Sequence, residues 1–230
     1  DAGDDGGGLF IFDGGPHDVI GCGFLNNVSG SRGGGARFEQ NTVNLIGGRF
    51  GENTANRGAG VHLVDGTFHV ANTIFHHNDG TYTGAVNQVS GVQSTFWNCV
   101  FYRNFGSTGL YNSAAIGGGG ADDAEVFNSV FWAHEGDLFP SFGFEPTISY
   151  SIVEGGFSGT DNSDASPMFV DPENGDFHLH PNSACIDSAL GSGAPELDYD
   201  GNPRADDPNV PNTGSGTPDY ADRGAFEHQP

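Results

Sequence analysis

The residues able to do chemistry in this sequence are few, and their spacing is regular. Arg49, the pair His76-His77 and Arg103 follow one another at intervals of 27 and 26 residues. Guanidinium and imidazole groups on one surface could hold an anionic substrate and move a proton. They meet only if the chain folds with a matching period; otherwise they are solvated turn residues. A second set is built from oxygen. In Asp198-Tyr199-Asp200-Gly201-Asn202, three oxygen side chains alternate around a glycine turn, a pattern suited to Ca²⁺. Asp222 and Glu227 could complete that shell through the fold. The competing reading is a cap locked by Arg204 and Arg223. Asp65, Asp79, Asp122, Asp123, Glu125, Glu135 and Asp137 supply carboxylates for a glycosidase. No two of them recur at positions that clearly share a face, so they read as polar loop tips. His178-Leu179-His180 lacks a third zinc ligand.

A period does exist. An apolar anchor followed three positions later by Asn occurs at Phe24, Phe50, Phe75 and Phe101, and the phase continues at Phe131, where His134 follows, with a worn copy at Ile152. The intervals are 26, 25, 26, 30 and 21 residues. Short strands with glycine steps keep phase with it, as in Gly58-Ala59-Gly60-Val61-His62-Leu63. The strands are β-branched and aromatic, and no window sustains a 3.6-residue period. A unit of this size cannot bury its apolar side alone, whereas stacking units in parallel buries a continuous column. Stacking puts Phe on Phe and Asn on Asn. The expected ladder is therefore Phe24, Phe50, Phe75, Phe101 and Phe131, with Asn72, Asn98 and Asn128 at the turns. The fold this predicts is all-β, a right-handed parallel β-helix of about six coils over residues 1–160. Residues 161–230 are expected to form an irregular C-terminal cap of the same domain, because a solenoid end exposes core and strand edges.

Composition narrows function. The chain of 230 residues carries 30 Asp+Glu against seven Lys+Arg, all of them Arg, for a formal charge of −23. Such a surface repels nucleic acid and anionic membranes, so neither is an expected partner. Thirty-nine Gly without a Gly-X-Y period exclude collagen, and 19 Phe argue against disorder. No run of about 18 apolar residues is present to span a bilayer. The start, DAGDDGGG, has the look of a processed or trimmed end. Cys22, Cys99 and Cys185 are an odd number, which leaves at least one thiol free or shared between chains.

Five ordered segments follow the repeat: Pro167–Val170, Gly175–Leu179, Ser183–Ala189, Asp198–Arg204 and Asp222–Glu227. With the repeat, they resemble secreted right-handed parallel β-helix proteins of the pectate-lyase-like superfamily. The likeness is to a bacterial group ending in D-x-D-G-x-x-R and D-x-G-A-(Y/F)-E. The resemblance implies the β-helix fold and an extracellular or cell-surface location. It leaves function open, because the superfamily mixes lyases, hydrolases, adhesins and shafts. Its lyases neutralise a uronate, often through Ca²⁺, and abstract a proton with Lys or Arg. The absence of lysine excludes the Lys-based version. The reading that follows is a structural or adhesive extracellular β-solenoid. Its expected partner is itself, end to end through Leu9, Phe10, Ile11 and Phe12, or an extracellular glycan. A small polysaccharide lyase or glycoside hydrolase, with Arg49, His76, His77 and Arg103 as catalytic candidates, is the alternative.

Overall fold

A computed structural model describes residues 5–107, 112–119, 122–140 and 143–230. Residues 1–4, half of the DAGDDGGG start, lie outside the described residues. The fold is a right-handed parallel β-helix with no α-helix among the described residues. Its longest sheet stacks Leu9–Phe12, Ala36–Ile46, Val61–Ala71, Gln93–Trp97, Asp123–Phe127 and Thr147–Ser149. A second sheet stacks Gly23–Leu25, Arg49–Gly51, Ile74–His76, Val100–Tyr102, Val130–Trp132 and Ile152–Val153. This phenylalanine sheet has six rungs, which bound about five complete turns. A third, short sheet joins Thr54–Arg57, Asp79–Thr83 and Phe105–Gly106.

Registry follows from the sequence period. Phe24 pairs with Phe50, Phe50 with Phe75, Phe75 with Phe101 and Phe101 with Phe131. Their rings stack at 4.8, 5.2, 5.0 and 4.5 Å, within 15° of parallel. Phe50, Phe75, Phe101 and Phe131 are fully buried, and Phe24 is half-buried at the first rung. The bend from the long sheet into this one is made by Gly21, Gly47, Asn72, Asn98, Asn128 and Tyr150, all at positive φ. That left-handed turn explains the run of Gly and Asn at one phase of the repeat.

The continuous asparagine ladder is built from the residues three positions after Phe24, Phe50, Phe75 and Phe101. Asn27 Nδ2 donates to Asn53 Oδ1 at 3.0 Å, Asn53 to Asn78 at 2.9 Å, and Asn78 to Asn104 at 2.8 Å. His134 ends this ladder, accepting the Asn104 N–H on Nδ1 at 3.2 Å and donating from Nε2 to the Phe101 carbonyl at 3.1 Å. Burial pushes its pKa down to about 4, so it serves as a neutral amide substitute. Asn72, Asn98 and Asn128 behave differently. Asn128 donates to Asn98, but their amides chiefly bind the tail. Asn72 Nδ2 donates to the Leu197 carbonyl, Asn98 to those of Asp222 and Gly224, and Asn128 to that of Leu190.

The tail therefore runs along a flank. Outward from the phenylalanine sheet point Ile74, Val100, Tyr102, Val130 and Ile152, all buried. Phe177, Leu179, Ile186, Ala225 and Phe226 of the tail cover them. Strands apolar on both faces need such cover, which a free cap over the end would not supply. The end itself is closed by residues 157–163. Phe157 packs on Phe139, the Val153 N–H donates to the Ser163 carbonyl at 2.8 Å, and Asn162 Nδ2 donates to that of Ile148 at 2.9 Å.

Candidate functional site

The flank where the tail meets the solenoid brings Arg49, His76, His77 and Arg103 together. Arg49, His76 and Tyr102 occupy outward positions of successive rungs. Glu52, His77 and Arg103 stand at the turns just beyond them, all with φ near +50°. The tail then adds Glu173, from the 3₁₀ turn Pro172–Asn174. Glu173 Oε1 accepts from the Tyr102 hydroxyl at 2.8 Å, and Oε2 from Arg103 Nη1 at 2.5 Å. His77 Nε2 lies 3.8 Å from the same Oε2. Tyr102 anticipates none of this in the sequence, where it reads as a residue beside a Phe anchor. Glu173 reads as one of many acids in a tail without period.

The protonation pattern is fixed by one donor that never gives up its proton. Arg49 Nε donates to His76 Nε2 at 3.0 Å, so the His76 proton sits on Nδ1. It is donated to His77 Nδ1 at 3.1 Å, which leaves His77 with its proton on Nε2, facing Glu173. Burial, then Arg49 and His77, push the His76 pKa down to about 3. Burial and the hydrogen bond to Glu173 push the Tyr102 hydroxyl up to about 12. The bond from Tyr102 holds the Glu173 carboxyl below its ordinary range.

Two shallow spaces adjoin the cluster. One, about 310 Å³, is lined by Arg49, Glu52, His76, His77, Glu173 and Gly175. The other, about 380 Å³, is lined by His77, Asp79, Arg103, Phe105 and Glu135. A general base needs a lone pair aimed into such a space. The lone pairs of His76 Nε2 and His77 Nδ1 are already taken by donors within the protein. The cluster offers hydrogen-bond donors and two carboxylates, Glu52 and Glu173, with the latter ion-paired. Its geometry clamps the tail to the solenoid. Gly175, at φ +82°, seats directly on Arg49, where a Cβ would collide with Nη2.

The oxygen set also comes together, and its oxygens are spent on N–H groups. Asp198 Oδ1 accepts from the amides of Asp200 and Asn202, at 3.0 and 2.7 Å, and Oδ2 from that of Glu227 at 3.0 Å. Asp222 accepts from the amides of Asp187 and His228, both at 2.7 Å. Glu227 accepts from Arg204 at 2.7 Å and from the Ala205 amide at 3.0 Å. Asp200 turns away to His178, at 2.7 Å. A cation here would have to displace these bonds, so the residues do not fit Ca²⁺ as they stand. Among the described residues no group of three or more His, Cys, Asp or Glu is arranged to hold a metal. Burial pushes the Asp222 pKa up to about 8, with Glu227 as the next contributor. Asp122 is likewise spent, accepting from the amides of Gly91, Val92 and Gly119.

Leu9, Phe10, Ile11 and Phe12 form the first rung of the long sheet and, among the described residues, pair on one side only, with Ala36–Glu39. His17–Ile20 and Gly23–Leu25 continue that rung, and each also pairs with a single neighbour among the described residues. Leu9, Ile11 and Phe24 are half-buried over the core. Phe10, Phe12, Ile20, Leu25 and Val28 are exposed, with Ile20 at 62 %. Exposed Cys22 lies in the same coil, while Cys99 and Cys185 are buried. No helix among the described residues is long and apolar enough to cross a membrane. Comparison with protein-family models, with curated proteins and with solved structures finds no match to this chain.

Proposed function

We propose that this chain is a structural β-solenoid of the cell exterior that joins a second copy of itself through its N-terminal coil. The observation that carries the reading is the one-sided first rung. Among the described residues its outer side has no strand partner, beside exposed Phe12, Ile20 and Leu25. Such an edge is a template for another strand. The opposite end is closed by residues 157–163, so two copies meet first coil to first coil rather than in an open head-to-tail polymer. The exterior location rests on the lysine-free surface of charge −23, which stays soluble at high ionic strength.

The test is mass in solution. Light scattering over a concentration series should give twice the 24.0 kDa chain mass, and F12D/I20D should restore the monomer. Cys22 should crosslink the pair on mild oxidation. A wild-type monomer at every concentration would end the reading, and long polymers would replace it with head-to-tail stacking.

Adhesion to a neutral glycan is a second reading with its own observation. On the outer face of the long sheet, Trp97 and Phe127 stack at 4.3 Å beside the ladder Asn44, His69, Thr95 and Glu125. Aromatic faces next to polar side chains suit sugar rings. Glycan arrays with W97A as control test it. For cleavage of a glycan, the engaged imidazoles beside Arg49 supply no free base, and a polyuronate cleavage screen should read blank.

A further inference from the structure

Three of the seven arginines gather where the long sheet folds onto the short one. Arg32 and Arg57 stand directly opposite on neighbouring rungs. Arg37 and His62 are likewise cross-strand partners, on the other side of the glycine turns Gly33 and Gly58. Like charges placed opposite across a sheet destabilise it. Thirty carboxylates are available to relieve that repulsion, yet neither Arg32 nor Arg57 makes an ion pair among the described residues. Arg57 lies over the Tyr82 ring, 5.2 Å from its centre, and both arginines are exposed. Arg37 is 7 % exposed. Asp5 and Glu39 bind its terminal nitrogens, but its Nε–H is buried without a partner.

The fourth member is a histidine held as a donor. The Thr83 hydroxyl donates to Asn87 Oδ1 at 3.0 Å, which turns the Asn87 amide so that Nδ2 donates to His62 Nδ1, also at 3.0 Å. The His62 proton is thereby fixed on Nε2. Burial, then Arg37, Arg32 and Arg57, keep the ring neutral, its pKa pushed down to about 3. Among the described residues, three guanidinium ions against Asp5 and Glu39 leave one positive charge uncompensated.

We propose that the crease formed by Arg32, Arg37, Arg57 and His62 binds an oxyanion group: a carboxylate, sulfate or phosphate. An oxyanion accepts from several donors at once and removes the Arg32–Arg57 repulsion. The source of the anion is either a free ion or an acidic residue of a glycan.

Inorganic sulfate, added at constant ionic strength, is the probe. Ring ¹⁵N resonances of His62 should shift saturably, and R32Q/R57Q should weaken the response about tenfold or more, as loss of charged hydrogen bonds implies. Both replaced side chains are exposed, so the variant should keep the wild-type circular dichroism. R49Q, outside the crease, should bind like wild type. Glucuronate or a sulfated monosaccharide binding tighter than inorganic sulfate identifies a glycan source, and equal or weaker binding identifies a free anion. No saturable shift, or a shift that survives R32Q/R57Q, would overturn the proposal.

Discussion

Replacing Asn78 by Ala tests whether the buried amide ladder is a main support of the coil. Asn78 is fully buried, and its side chain serves three neighbours. Its Oδ1 accepts from the Asn53 backbone N–H at 3.2 Å and from Asn53 Nδ2 at 2.9 Å. Its Nδ2 donates to the Phe50 carbonyl at 2.9 Å and to Asn104 Oδ1 at 2.8 Å. Truncation strands the Asn53 backbone N–H and one amide hydrogen. Each buried donor left unmade costs about 1–3 kcal/mol, so the variant should lose about 2–6 kcal/mol. Asn27 does the same work at the open first rung, where it is half-buried and gives only to Asn53. Asn27→Ala leaves one acceptor with fewer donors and should cost about 1 kcal/mol or less. Urea unfolding of wild type and both variants, with m unchanged, gives the comparison. A loss below about 1 kcal/mol for Asn78→Ala, or equal losses at the two sites, would refute the reasoning.

Three further outcomes follow. Phe75→Ala, at the centre of the ring stack, should cost about 3–5 kcal/mol in urea unfolding, and Phe24→Ala at the half-buried end should cost clearly less. Gly175→Ala combines a left-handed backbone with the collision against Arg49. It should cost at least about 1–2 kcal/mol, and limited proteolysis should show faster cutting near residues 168–180. His62 is held below its ordinary value in the fold, at about 3, so below pH 6.5 the unfolded chain takes up a proton that the folded chain refuses. Stability should therefore fall as pH drops from 6.5 toward 3, by up to about 1.4 kcal/mol per pH unit for this group. His62→Gln should flatten that slope between pH 6.5 and 5; an unchanged slope would show that His62 is protonated in the fold.

The coil was legible because it is periodic. A stacked rung demands the same residue type at the same phase, and spacings of 26, 25, 26 and 30 between Phe24 and Phe131 report it directly. The turn glycines and asparagines were legible for the same reason, since a left-handed φ admits few residue types. The direction in which Asn72, Asn98 and Asn128 spend their amides was not, because their partners lie up to 126 residues away in a segment with no period. The same holds for the clamp. Arg49, His76, His77 and Arg103 can be aligned from the repeat, but Glu173, which binds Tyr102 and Arg103, belongs to the tail and carries no phase. Three arginines in one crease were visible as residues; that Arg32 and Arg57 make no ion pair among the described residues emerges only when the carboxylates have been placed.

The flank-bound tail also bears on how long such a molecule can be. A bare stack of coils has no intrinsic length, since each rung accepts another. Here the tail touches rung after rung at fixed stations: Gly175 at Arg49, Leu197 at Asn72, Gly224 at Asn98, Leu190 at Asn128 and Arg223 at Ser151. It works as a ruler laid against the stack. Gaining or losing one internal coil would shift every later mark by one rung, so growth by duplication is blocked unless the ruler is recut as well.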